Sequence, residues 1–383
     1  MPRRKMIQFL MAGVLTIGLY TSLPSASAAE VARASGGVAA PAASPLAELG
    51  RLLQKDFHAL DKLMPRGDEL VDAQARQRLA PEVLPLLKDI ESKISKFMHT
   101  AAGLTPDDKL QVQGLQQHFA AVMAVLGDVG AQSQLKQEIA SGDPAVKLGA
   151  QLQMLQVRWW QSDKNAAVQG HILNRIALLA KANPTNDTVT MMLLGMIELG
   201  AADVAVRDQA RQIIMDDQSG PLALQVKSDV GYTLKLHKKF LNKSVVVHGE
   251  LLGGGKFSTA QWKGKVIVVD FWATWCGPCR ASLPGLERLY SRYHDQGLRV
   301  VGVSNDNSGA ALKAFLKANP KMAWPQLFDA SNPGWSLIST SFGLNSIPTQ
   351  FVIDRQGILR HISVGFDPNH GIKSTVVRLL EQK

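Results

Sequence analysis

Cys276 and Cys279 are the two cysteines of this 383-residue chain, set three positions apart in Trp275-Cys276-Gly277-Pro278-Cys279. A disulfide closing so short a loop takes little entropy from the unfolded chain, so the pair is a poor staple. Secreted domains braced by disulfides spread several cysteines along their length. The spacing suits thiol–disulfide exchange instead: one thiolate attacks a partner disulfide, and its neighbour resolves the mixed disulfide. C-x-x-C is also half of a zinc site. Zinc would need two further ligands, no other cysteine exists, and none of the nine histidines forms a paired motif. Neither a metal nor a cofactor is expected.

The elements around the pair place it. Val266 to Phe271 is a continuous apolar run, the pattern of a strand buried on both faces. A helix is predicted over 278–296, broken near Pro284. Cys276 therefore falls where a buried strand ends and a helix begins. There the helix dipole and unpaired backbone N–H groups stabilise a thiolate. Pro278 fits the first helical turn, where its missing N–H costs nothing, and Cys279 follows one turn on, facing the same side. Further strands are predicted over 244–250, 256–258, 298–303, 326–328, 349–354 and 358–363. Helices are predicted over 309–318, 333–342 and 371–382. This grammar predicts an α/β domain over 241–383, with a mixed sheet covered by helices on both faces.

Residues 46–240 read differently. Leu49, Leu52, Leu53, Phe57, Leu60 and Leu63 recur at helical spacing, as do Leu84, Leu87, Ile90, Ile94 and Phe97, then Leu148, Leu152, Leu155 and Trp159. Breakers separate the runs at 65–67, 103–106, 142–144, 183–184 and 219–221. Thr105-Pro106 and Asp143-Pro144 have the form of an N-cap followed by proline in the first turn. Seven to ten helices are expected, stacked as antiparallel hairpins without a fixed repeat. Trp159-Trp160 and Met191-Met192 read as core or groove residues, and His171 and His237 as structural.

Ahead of this all-α domain, residues 29–45 are rich in Ala, Ser, Gly and Pro and read as a flexible linker. Residues 1–28 read as a signal peptide: Arg3-Arg4-Lys5, an apolar stretch from Met6 to Leu23, Pro24, and small residues at Ala26-Ser27-Ala28. An uncleaved membrane anchor is the alternative. Either places the folded part outside the cytoplasm, in the periplasm.

The formal charge of +10 is unevenly spread. Residues 29–240 hold 23 basic and 23 acidic side chains, whereas 241–383 hold 16 and 9, leaving +7 there. No Arg/Lys cluster with interleaved aromatics occurs, so nucleic acid is not an expected partner. A solvated basic surface accounts for the excess.

Val268-Val269-Asp270-Phe271-Trp272-Ala273-Thr274-Trp275-Cys276-Gly277-Pro278-Cys279-Arg280 resembles the active-site stretch of thioredoxin. Ser346-Ile347-Pro348-Thr349 resembles the thioredoxin-fold loop whose proline is cis. With the hairpin around 244–258 and the insertion around 305–330, residues 244–383 resemble the TlpA/ResA group of extracytoplasmic thiol–disulfide oxidoreductases. The resemblance implies that Ile347 pairs with the substrate chain and Pro348 packs against the cysteines. It also implies that Trp275, Gly277 and Pro278 form the contact surface. Two departures stand out. That group usually has Glu three residues after the second cysteine, where this chain has Ser282. It often has Asn where this chain has Asp270, which matches the buried carboxylate of thioredoxin. Asp270 is therefore expected to have a raised pKa and to act as general base toward Cys279; the alternative is an Asp that merely bonds backbone.

The function expected is reduction of disulfides in extracytoplasmic proteins, with electrons from a membrane thiol-reducing donor. The other class of reading makes the helical domain a binding scaffold for an envelope partner, with the redox domain as accessory. A third, a thiol peroxidase, wants a Pro and Thr cradling one cysteine and a distant resolving cysteine. Thr274 lies two residues from Cys276, and no proline precedes it in the strand.

Overall fold

The computed structural model describes residues 45–63, 72–198, 201, 203–366 and 371–382. The signal segment predicted over 1–28, the linker over 29–45 save Pro45, and the breaker at 65–67 lie outside the described residues. The chain divides between Val230 and Gly231 into two compact units.

The first unit is helical: α1 (Pro45–Leu63), α2 (Ala73–Thr100), α3 (Pro106–Val125), α4 (Val129–Ile139), α5 (Pro144–Trp160), α6 (Ala166–Ala182), α7 (Asp187–Glu198), α8 (Val204–Asp217) and the start of α9 (Pro221–Phe240). Short polar residues start these helices by accepting from otherwise orphaned backbone N–H groups. Asp72, Thr105, Asp128, Asp143, Asn165 and Asp203 all do so. Thr105 and Asp108 complete a reciprocal capping box, with Pro106 in the first turn. The predicted apolar stripes converge: Leu53, Leu87, Ile90, Ile94, Leu152 and Trp159 lie in one core. Trp160 and Met192 are buried in that core as well.

The second unit contains β1 (His248–Glu250), β2 (Lys256–Ser258), β3 (Val266–Trp272), α10 (Gly277–Tyr293), β4 (Leu298–Ser304), α11 (Gly309–Ala318), β5 (Gln326–Leu327), α12 (Leu337–Ser341), β6 (Thr349–Ile353), β7 (Leu359–Val364) and α13 (Gly371–Glu381). The main sheet has order β5-β4-β3-β6-β7. β4 runs parallel to β3, β5 parallel to β4, and β6 and β7 antiparallel to their neighbours. Every residue of β3 is buried, as a central strand covered on both faces must be. Alternation sorts its side chains. Val266, Val268 and Trp272 join one core layer with Cys276, Cys279, Leu283, Leu286, Ile372 and Val376. Ile267, Val269 and Phe271 join the opposite layer with Leu236, Phe351 and Leu359.

Several boundaries differ from the sequence reading. The domain boundary was expected at 240/241, yet residues 231–240 of α9 belong to the second unit. Leu236, Tyr232 and Phe240 pack into its sheet layer, and Phe240 lies 5.4 Å from Phe342 ring to ring. The strand expected over 244–250 shortens to β1. Val245 donates to Gly357 O and Val247 exchanges bonds with Thr259, so 244–247 make scattered contacts rather than a ladder. Pro284 does not break α10, because Leu283, Leu286 and Leu289 around it are held in the core. That helix ends at 293 rather than 296, in a turn closed by Gly297 at φ +101°. The helix expected over 333–342 contracts to α12, since Gly334 and Ser336 donate to Asp306 O and Asn305 Oδ1 instead.

Candidate active site

β3 carries the chain to the carboxyl edge of the sheet, and the loop from Ala273 to Trp275 turns it into α10. Cys276 is the N-cap of that helix, with Pro278 in the first turn. Cys276 and Cys279 form a disulfide, and the Cys276 Sγ accepts from the Cys279 backbone N–H at 3.2 Å. That bond is the local source of thiolate stabilisation in the reduced pair. Cys276 is 5% exposed and Cys279 is fully buried, so Cys276 is the sulfur a partner can reach.

Around the pair the predicted contact residues gather. The Ile347–Pro348 bond is cis, and the Ile347 carbonyl oxygen lies 3.8 Å from Cys276 Sγ. Pro348 is buried and Ile347 half-buried, while Gly277 and Pro278 are exposed. Trp275 is 58% exposed, an apolar surface presented beside the reactive sulfur.

Asp270 is completely buried. Alternation along β3 puts it with Val268 and Trp272, on the face that carries Cys279. Burial is the larger influence on its carboxyl and raises its pKa to about 6, against the lowering pull of a hydrogen bond from Gln350. Gln350 Nε2 donates to Asp270 Oδ1 at 2.9 Å, and Oδ2 has no hydrogen-bond partner. A carboxyl that changes charge near neutrality, on the sheet face that carries Cys279, can take and return one proton. Ser282 is buried and donates to Cys279 O at 2.6 Å.

Three contributors were missed at the level of sequence. Asp306 accepts from Thr274 N–H at 3.0 Å and from Thr274 Oγ1 at 2.6 Å. Asn305 donates through its backbone to Trp272 O. Both lie just beyond β4 at the carboxyl ends of parallel strands, where sites assemble in such sheets, so a signal existed. Gln350, a polar residue within the otherwise apolar β6, was the third. It lines a pocket of about 180 Å³ with Ser282, Leu286, Leu289, Pro348 and Ile372, among others. The Thr274 hydroxyl is committed to Asp306 and is not offered to Cys276 as a peroxidase cradle would require. No group of three or more metal-ligating side chains occurs among the described residues.

The fold and the site define a thioredoxin-like domain built for thiol–disulfide exchange. Residues 240–362 match the AhpC/TSA family, and through this domain the chain belongs to it. The chain is 32% identical over 149 residues to the thioredoxin-like protein YneN of Bacillus subtilis, covering 36% of this chain and 84% of that one. It is 33% identical over 106 residues to the thiol-disulfide oxidoreductase ResA of Bacillus thuringiensis, covering 28% of this chain and 58% of that protein. A solved thiol:disulfide interchange protein of Chlorobium tepidum is 25% identical, with a TM-score of 0.32 over 37% of this chain and 97% of its own. The domain is a thiol–disulfide oxidoreductase of the ResA-like kind.

Proposed function

We propose that the chain reduces disulfides of proteins outside the cytoplasm, using the Cys276–Cys279 dithiol. The observation that carries this reading is the Ile347 carbonyl, 3.8 Å from Cys276 Sγ and beside exposed Trp275. An extended client strand would pair with that backbone and bring its disulfide to the attacking sulfur. Cys276 thiolate forms a mixed disulfide and expels the first client thiolate. Asp270 then takes the Cys279 proton, and Cys279 attacks Cys276 to release the second client thiolate. Each client thiolate takes up a proton, and the protein is left oxidised. A membrane thiol-reducing donor would restore the dithiol.

The N-terminal segment with its basic start and apolar stretch supports export to the periplasm. Among the described residues no helix is long and apolar enough to cross a membrane. Residues 46–230 would then form a domain that brings an envelope partner to the redox site.

The test is a trap. Cys279→Ala leaves the mixed disulfide unresolved, so the purified mature protein should recover envelope proteins linked through Cys276. Failure to trap any disulfide-bearing protein, with turnover of a non-thiol substrate intact, would overturn the proposal. A measured reduction potential fixes the direction of electron flow.

A further inference from the structure

The two oxygens of Asp270 stand in different surroundings. Oδ1 accepts from Gln350 Nε2 at 2.9 Å, whereas Oδ2 is buried without a partner. Gln350 is directly opposite Asp270 in the β3–β6 register, so its amide reaches across one strand spacing on the same face. Asp270 is wholly buried and Gln350 only half so. On its other side Gln350 borders the pocket shared with Ser282 and Pro348.

An amide nitrogen only donates. It can bond Oδ1 when Asp270 is ionised, and it can bond the same oxygen as a carbonyl when the proton sits on Oδ2. The arrangement therefore needs no rearrangement when the carboxyl changes charge.

We propose that Gln350 is the positioning residue of the resolving step: it holds Oδ1 as an acceptor in both protonation states and leaves Oδ2 to take the Cys279 proton. This rests on Asp270 being the base. The S–H bond of Cys279 breaks as Oδ2–H forms, and the Cys279 electron pair makes the new S–S bond as the client thiolate leaves. Oδ2–H keeps that proton until the pair is next reduced, when it returns to Cys279.

The titratable and charged groups facing this region are Cys279, Arg288, Arg292 and Tyr293 on α10, Lys373 on α13 and His361 on β7. The β4 residue opposite Asp270 is Gly302, which carries no charge. Burial raises the Asp270 pKa and the Gln350 bond lowers it, so removing the bond should move it up.

The measurement is the pH dependence of client-thiol release from the mixed disulfide, alongside carbon-13 NMR titration of Asp270 in the oxidised protein. Gln350→Met keeps the length and loses the donor, and Gln350→Glu puts a second carboxyl against the first. Both should move the midpoint of the rate profile and of the titration upward, Gln350→Glu further, because neighbouring carboxyls share one proton. Release near pH 6 should slow about three- to tenfold in Gln350→Met, the scale of a modest pKa shift in a general base. A uniform loss of rate with unmoved midpoints would make Gln350 merely structural and overturn the proposal. An unchanged wild-type profile in Asp270→Asn would instead overturn the base, a result distinct from the first.

Discussion

The Asp306 carboxylate holds Thr274 twice, through the backbone N–H at 3.0 Å and the hydroxyl at 2.6 Å. The contact fixes the turn two residues ahead of Cys276. Ser304 Oγ donates to the other oxygen at 2.8 Å, and Asp306 is 2% exposed. A buried carboxylate satisfied in this way braces the loop from the neighbouring strand. Asp306→Ala should cost about 2–4 kcal/mol, since it strands buried donors as well as losing charge-assisted bonds. Asp306→Asn, which can still accept at one oxygen, should cost less. Urea unfolding of the oxidised protein checks both, and equal costs would contradict the assignment.

Asp270 links the site to stability. Its folded pKa of about 6 lies above the ordinary carboxyl value of 3.8, so the folded state binds this proton more tightly than the unfolded chain. Stability is then highest at pH below 4 and falls as pH rises through about 6. By pH 8 the loss amounts to roughly 3 kcal/mol. Asp270→Asn should therefore be the more stable protein at pH 8 by about 2–3 kcal/mol, with the advantage fading toward pH 4, while its resolving step slows. A pH-independent difference in unfolding free energy would show that the carboxyl is not the cause.

Ser282 stands where ResA-type sequences usually place Glu, and its side chain borders the pocket. If Asp270 does that residue's work, Ser282→Glu should rescue Asp270→Asn. The double variant is expected to regain resolution about tenfold or more over Asp270→Asn alone, the scale of one general base. Stopped-flow release of client thiol reads this directly. No gain would mean that the pocket-side position cannot deliver a base to Cys279.

Trp275 is exposed beside a buried disulfide. Trp275→Ala should leave stability within about 0.5 kcal/mol of the parent. It should raise KM for protein disulfides about fivefold, an anchor residue's contribution, and leave reduction of a small disulfide nearly untouched. Equal losses on large and small substrates would place Trp275 in the chemistry rather than the docking surface.

Gly302 pairs with Asp270 on one side and with Gln326 on the other. A Cβ there would collide with the Gln326 side chain, which accepts from Trp272 Nε1 at 3.0 Å. Gly302→Ala should cost about 1–3 kcal/mol by overpacking, and a thermal melt would register it. Gly277→Ala, where a Cβ meets nothing within 4 Å, is the control.

The redox centre was legible because local chemistry writes it: a strand-to-helix junction, a proline in the first turn and two cysteines one turn apart. The burial of Asp270 was expected from the resemblance to thioredoxin and from the continuous apolar run around it. Capping residues likewise announced the helices beginning after Thr105 and Asp143. What escaped was non-local. Gln350 gains meaning only once β6 lies antiparallel to β3, and Asp306 only once β4 ends beside the Thr274 turn. Neither pairing is encoded within a window of neighbouring residues. Pro284 misled for a related reason: its local penalty is outweighed by the packing of Leu283, Leu286 and Leu289.

The closing turns of α9 have an architectural consequence. The family match begins at residue 240, whereas the compact unit begins at 231. Within those extra residues Tyr232 Oη accepts from Asn345 N–H at 3.0 Å, just before the loop that presents Ile347. A fragment cut at the family border would discard the hydroxyl that steadies that loop and leave a hole where Leu236 had been. The inherited module has taken a piece of the preceding helix as its own foundation, and exchanging modules between relatives must carry that piece along.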